Sequence, residues 1–253
     1  MNSRILCGDA IEMMAILPDQ SIDLVACDPP FQKTRNRWDA MIPFEDMWKS
    51  IARVAKTDAA IILFASQPFT SKLVMSKIDW FLYDWCWRKS NSTGHLNAKK
   101  MPLRQHEDIL VFSSGKPIYN PQFFRKEDSK VRRGQLSGFS TGSYGSFKAK
   151  AERTIPDDIS YPRSILEFNT ARHDGESGFH STQKPTAIMD YLIRTYSNEG
   201  DLVLDFACGS GTTGVACRRA GRNFIGIEKD EGFAAIAEKR IAECDGPLFA
   251  GAA

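Results

Sequence analysis

Eight short runs rich in Ile, Val, Leu and Phe, at 4–8, 22–28, 60–65, 81–89, 109–112, 164–168, 202–207 and 223–228, constrain the fold of this chain more than any other feature. Their length and composition read as strands, several of them buried on both faces and so suited to parallel pairing. Between many of them lie stretches with 3.6-residue apolar spacing, at 10–17, 44–56, 68–77, 185–197, 211–220 and 232–244. Alternating strand and helix predicts an α/β fold, a mostly parallel sheet with helices on both faces. The runs 81–89 and 106–112 have no helix between them, which predicts an antiparallel strand near one sheet edge. From 113 to about 163 the periodicity gives way to Gly, Ser, Pro and basic residues, and this stretch reads as an inserted lobe.

The 253 residues, 42% of them hydrophobic, suffice for one large domain carrying such an insertion. The longest unbroken apolar run, 59–65, is far shorter than the roughly 20 residues that span a bilayer, and no basic-then-apolar leader opens the chain. A soluble, cytoplasmic protein without a membrane partner is expected. The six cysteines, at 7, 27, 86, 208, 217 and 244, show no C-x-x-C pairing, so neither disulfides nor a bound metal is indicated. The formal charge of +2 hides an asymmetry: residues 85–150 carry 13 Lys/Arg against 4 Asp/Glu, a local +9, and the rest of the chain carries −7. Aromatic residues interleave with these basic groups, from Trp85 and Trp87 to Tyr144 and Phe147, which favours a polyanion-binding surface over a merely solvated face. The alternation of Trp85 and Trp87 with Asp84 and Cys86 points those two indoles to the core instead.

Two constellations carry chemistry. The first, Leu202-Val-Leu-Asp-Phe-Ala-Cys-Gly-Ser-Gly-Thr-Thr-Gly214, runs from a buried strand through a tight turn into a helix, and Gly209 and Gly211 allow the backbone to turn sharply beside a ligand. The next strand ends at Glu228, a carboxylate placed to accept hydrogen bonds from ribose hydroxyls. A nucleoside-bearing cofactor is implied, but the G-x-G-x-x-G spacing of 209, 211 and 214 also suits a nicotinamide dehydrogenase, and the motif alone does not choose. The second constellation breaks the tie. The strand at 22–28 delivers Asp28-Pro-Pro-Phe31 at its carboxyl end, where open α/β sheets bind ligands. Pro29 and Pro30 lack N–H groups and have fixed φ, so their carbonyls stand beside the Asp28 carboxylate as an array of acceptors suited to an amino group. Phe31 offers a flat face on which a base can stack.

With these motifs in this order the chain resembles the β-class DNA amino-methyltransferases that use S-adenosylmethionine, in which the Asp-Pro-Pro-aromatic block precedes the target-recognition region and the glycine loop follows it. The resemblance covers nearly the whole chain outside the insertion. Arg4-Ile-Leu-Cys-Gly-Asp9 is similar to the family's opening strand, Trp87-Arg-Lys-Ser-Asn91 and His106-Glu-Asp-Ile-Leu-Val-Phe112 to the blocks before recognition, and His180-Ser-Thr-Gln-Lys-Pro185 to the segment that holds the methionine part. Two departures stand out: Asp205-Phe-Ala-Cys-Gly209 places its aromatic one position early, and Ser181 stands where the family often has proline.

The resemblance implies a Rossmann-like methyltransferase sheet. Its parts are a catalytic half at 1–112, a target-recognition insertion at 113–163 and a cofactor-binding half at 164–253. It implies Asp28, Pro29, Pro30 and Phe31 as the catalytic block and Asp9, Thr182, Lys184, Asp205, Phe206, Gly209, Gly211, Thr212 and Glu228 around S-adenosylmethionine. Lys89, Asn91, Arg104, Arg132 and Arg133 are the candidate contacts to double-stranded DNA. The expected reaction is methylation of the N6 amino group of an adenine flipped out of the duplex. Cytosine-N4 methylation is the nearest alternative, and a non-catalytic DNA-binding protein that has kept the fold is another. A homodimer and a cognate restriction endonuclease are candidate partners, in a prokaryotic or phage setting.

Overall fold

A computed structural model describes residues 2–31, 41–125, 156, 158–176 and 183–244. The main body, Met1–Asn120 with Ser164–Ala253, is built on an eight-stranded sheet. Its elements are β1 (Ser3–Cys7), α1 (Ala10–Ala15), β2 (Ile22–Cys27), α2 (Phe44–Val54), β3 (Ala55–Ala65), α3 (Phe69–Ser76), β4 (Phe81–Thr93), β5 (Arg104–Phe112), β8 (Ile165–Phe168), α4 (Thr186–Tyr196), β9 (Leu202–Asp205), α5 (Thr212–Ala220), β10 (Asn223–Glu228) and α6 (Glu231–Glu243). The two-residue strands β6 (Phe124–Arg125) and β7 (Ile159–Ser160) belong to a second unit, Pro121–Arg163. There they pair antiparallel, with Phe123 and Tyr161 rings 5.0 Å apart and Arg125 paired to Asp158 at 3.2 Å.

The sheet order is β1-β10-β9-β2-β3-β5-β4-β8, and every pairing is parallel except those that β5 makes with β3 and β4. The antiparallel strand therefore lies towards one edge, with β4 and β8 outside it. A period of two divides the strands between two cores, as a sheet covered on both faces requires. Val25 and Cys27 of β2, with Ile61 and Leu63 of β3, pack with Met14 of α1, Met47 and Ile51 of α2 and Leu73 of α3. Their neighbours Leu24, Ala26, Ile62 and Phe64 pack on the other side with Leu192 of α4, Val215 of α5 and Ile241 of α6.

Local chemistry fixes the element ends. The Asp9 carboxylate accepts from Ile11 N at 3.0 Å and caps α1, and Asp230 does the same for α6 through Phe233 N at 3.0 Å. Glycine in the left-handed region closes α5 at Gly221. Two differences from the sequence expectation have physical causes. Helix α2 stops at Val54 because Ala55 is already extended, and β3 begins there, five residues before the apolar run. Strands β4 and β5 run on to Thr93 and back from Arg104 as an arm of mostly exposed residues, whose polar side chains leave no apolar alternation to read. Trp85 and Trp87 are buried as expected, their N–H groups donating to Tyr196 OH at 2.6 Å and Phe168 O at 3.0 Å.

Candidate active site

Strands β2 and β9 are parallel neighbours, with Val25 opposite Leu204, and the helical connections that follow them leave towards opposite edges of the sheet. This is a topological switch point, the place where open α/β sheets form a ligand crevice beyond their carboxyl ends. It brings the two motif-bearing turns, Asp28 onward and Asp205 onward, side by side.

The glycine turn carries two glycines with different duties. Gly209 and Gly211 have φ of 52° and 80°, where a side chain is strained. A Cβ at Gly209 would meet nothing within 4 Å, whereas one at Gly211 would stand 2.8 Å from Ala237 Cβ in α6. Gly209 thus lines open space, and Gly211 lets α5 approach α6. Glu228 holds this turn: its Oε2 accepts from Gly209 N at 2.8 Å and its Oε1 from Asp230 N at 2.9 Å. Each oxygen keeps a further lone pair for another donor. Asp205 is spent internally, accepting from Ala207 N at 3.1 Å and Thr213 Oγ1 at 2.5 Å, and burial pushes its carboxyl up to about 6. Phe206 is only 1% exposed, packed in the core on the α1–α3 side. The side chain of Asp205 is buried as well. Thr212 is buried at the first turn of α5.

At the end of β2, Asp28 Oδ2 is paired with Lys184 Nζ, while Asp28 Oδ1 is buried and bonds to no described residue. Burial raises the Asp28 carboxyl above its ordinary range, against the opposing pull of Lys184. Lys184 also lies 3.4 Å from Glu107 Oε2, and Lys89 takes Glu107 Oε1. Burial is outweighed by the two lysines at Glu107, whose carboxyl is held down to about 2, and by the two carboxylates at Lys184, which keep it protonated. Four residues from four chain segments thus form one row of alternating charge. Glu107 was not expected at the site. Its signal was present: 107, 109 and 111 share one face of β5, so a carboxylate stands in line with buried Ile109 and Val111. Lys89, expected among the DNA contacts, likewise follows Trp85 and Trp87, and its side chain is 12% exposed and paired with Glu107.

Pro29 is buried, Pro30 is half-buried, and the Phe31 ring stacks on Phe69 with centroids 5.2 Å apart. Asp9 caps α1 and reaches Lys229 at 3.3 Å; burial raises its carboxyl, and the Ile11 amide and Lys229 bring it below the ordinary range. Asn91 is exposed on the arm, and Arg104 bonds Ser66 Oγ and donates to Gln67 O at 3.2 Å. Thr182, Arg132 and Arg133 lie outside the described residues. Two buried atoms lack a hydrogen-bond partner among the described residues: the acceptor Asp28 Oδ1 and the donor Gln183 Nε2. Gln183 Oε1 in turn is 3.5 Å from Ser210 Oγ in the glycine turn. No group of described His, Cys, Asp or Glu residues has the arrangement to hold a metal ion, and no described helix is long and apolar enough to cross a membrane.

A family model for N6/N4 methyltransferases, described as DNA methylase, matches residues 22–239. The chain belongs to this DNA methylase family. The match takes in both turns at the switch point and all four members of the charged row. Among relatives, the type II methyltransferase M.HinfI of Haemophilus influenzae is 29% identical over 95% of this chain and 68% of that protein. Two solved structures share the fold: an M1.HpyAVI–SAM complex (24% identity, TM-score 0.61, 94% of this chain and 98% of that one) and the cytosine-N4-specific PvuII DNA methyltransferase (19%, TM-score 0.66, 95% and 86%). The architecture is that of a Rossmann-like methyltransferase, mostly parallel with one antiparallel strand.

Proposed function

We propose that this DNA methylase transfers a methyl group from S-adenosylmethionine to the N6 amino group of an adenine in duplex DNA. The observation that carries the reading is Asp28 Oδ1 at the switch point, buried and without a partner among the described residues, an acceptor whose sister oxygen is already held by Lys184. The residues present suit the cofactor. Gly209 leaves room at the turn, Glu228 offers free lone pairs to ribose hydroxyls, and the partnerless Gln183 Nε2 suits a carboxylate. When bound, the cofactor supplies a methyl group on a positively charged sulfur.

The chain's own residues do the rest. Conjugation into the ring makes the adenine amino nitrogen a poor nucleophile, and hydrogen bonds donated to Asp28 Oδ1 and to the Pro29 carbonyl localise its lone pair and aim it. Phe31, backed by Phe69, gives the extruded base a face to stack on, offsetting an unstacking cost of a few kcal/mol. Asp28 is the acceptor for the proton that the amino group must lose. No cysteine is required as a nucleophile: burial pushes the thiols of Cys27, Cys208 and Cys217 far up, so they stay protonated.

Adenine is favoured over cytosine because Asp, rather than Ser, precedes Pro-Pro in this family arrangement. The basic stretch at 85–150 supports duplex DNA as partner, with 113–163 as the target-recognition part and Arg132 and Arg133 as its phosphate or base contacts. The same reading carries a second copy of the chain and a cognate restriction endonuclease as partners, within the cytoplasm of a bacterial or phage-infected cell. The test is nucleoside analysis of duplex DNA incubated with the protein and S-adenosylmethionine. N6-methyladenine is expected; N4-methylcytosine would replace the base assignment, and no methylated base would remove the activity.

A further inference from the structure

We infer that Glu107 is a positioning residue for this reaction: by pairing with Lys184 as a second carboxylate, it keeps that lysine on one oxygen of Asp28 and leaves the other open to the substrate amine. The inference rests on the function proposed above and adds to it a residue that never touches the substrate.

An ammonium has three N–H donors and no acceptor. With one carboxylate in reach, the ammonium would sit across both of its oxygens, satisfying more of its own donors and blocking the face of Asp28 that the reaction needs. In this chain a second carboxylate is also within ion-pair distance of the ammonium. Lys184 pairs with Asp28 Oδ2 and lies 3.4 Å from Glu107 Oε2, and Glu107 is anchored in turn by Lys89 at Oε1. Both oxygens of Glu107 are engaged, one by each lysine, while one oxygen of Asp28 is not. The two ends of the row are thus unequal in the way that a base at one end requires. Side chains this enclosed, 15% exposed for Glu107 and 10% for Lys184, keep their charges only when paired, so the row moves as a unit. Among the described residues, the charged and titratable groups that act on Asp28 include Lys184 ahead of α4, Glu107 on β5, Lys89 on β4, Asp205 on β9 and Cys27 on its own strand.

The arrangement makes a signed prediction for single-turnover methyl transfer by the full chain with S-adenosylmethionine and duplex DNA. Glu107→Gln removes a negative charge near Asp28 and frees Lys184 to cover it. The rate should fall by about tenfold, about 1.4 kcal/mol, with the acid limb of the pH–rate profile moved to lower pH and cofactor affinity by calorimetry unchanged. Lys89→Met lets both Glu107 oxygens draw Lys184 away, so its acid limb should move to higher pH. Glu107→Asp should restore part of the rate. A bystander role in folding gives no such opposed shifts. Wild-type rate and profile in Glu107→Gln would overturn the inference, as would acid limbs that move the same way. So would a rate loss that only follows losses of melting temperature and cofactor affinity. If Glu107→Gln fails to fold, Lys89→Met alone decides by the direction of its limb. Asp28→Ala in the same assay separates the two levels: activity there removes Asp28 as the acceptor of the amine and with it the mechanism proposed above, whereas inactivity beside a normal Glu107→Gln removes only the role of Glu107.

Discussion

Alanine placed in turn at Gly209, Gly211 and Gly214 should produce three different defects, because one chemical change meets three different surroundings. At Gly209 the backbone φ of 52° costs an alanine about 1–2 kcal/mol, and no atom of the described residues beyond its chain neighbours lies within 4 Å of the new methyl. At Gly211 the same kind of strain, with φ of 80°, is joined by a methyl 2.8 Å from Ala237 Cβ and 2.9 Å from its Cα. The Cα cannot give way without moving α6, so overpacking adds about 1–3 kcal/mol and the total reaches about 2–5 kcal/mol. At Gly214, inside α5, the methyl strikes Ile241 Cδ1 and the Phe224 ring, but helix propensity returns about 1 kcal/mol, which leaves a net loss of about 0–2 kcal/mol. Thermal unfolding reads these as about 2–4 °C for each kcal/mol in a chain of this size. Calorimetric titration with S-adenosylmethionine gives the complementary order: Gly209→Ala fills the open space and should weaken binding at least about tenfold, and Gly214→Ala should leave it near wild type. A Gly211→Ala variant that melts with the wild type, or a Gly209→Ala variant that binds cofactor normally, would refute the division of labour.

Glu228→Ala should weaken S-adenosylmethionine binding by about 1.5–3 kcal/mol, since in the proposed reading the carboxylate accepts from the ribose, and it also holds Gly209 N; unchanged affinity in a calorimeter would mean that the ribose lies elsewhere. Burial holds the Asp205 carboxyl up at about 6, so the folded chain binds that proton more tightly than the unfolded chain does. Its ionisation therefore costs nothing below about pH 4 and costs more as the pH rises through about 6. The wild type should accordingly lose about 2–3 kcal/mol relative to Asp205→Asn between pH 4 and pH 7; denaturant titrations at the two pH values measure it, and a constant difference speaks against it. Replacing Arg132 and Arg133 together with Ala should flatten the plot of log K for DNA against log[salt] by about 0.9 per lost phosphate contact. Binding isotherms that keep both slope and sequence preference would remove these two residues from the DNA interface.

The strands and helices were legible where burial imposes a period. Leu24, Val25, Ala26 and Cys27 alternate between two cores, and Met47, Trp48, Ile51 and Val54 form the stripe of a helix lying on one of them. The arm at the ends of β4 and β5 was not legible past Lys89, because its backbone pairs without an apolar face to leave a pattern. At the site, Asp28, Glu228 and the glycine turn announced themselves through strand-end chemistry. Glu107 and the pairing of Lys89 did not, because the partners come from separate chain segments and only the sheet register places them together. Phe206 was assigned by family pattern, and its ring is buried in the core, where the sequence alone offered no register to place it.

The claim that the open oxygen of Asp28 receives the substrate amine is tested most directly by Asp28→Ala, with methyl transfer to duplex DNA and S-adenosylmethionine affinity measured on the same preparation. Loss of transfer with cofactor affinity within about tenfold of the wild type is the predicted result, because the proposed mechanism assigns this atom, which has no partner among the described residues, to the substrate and not to the cofactor. Transfer near the wild-type rate would contradict it.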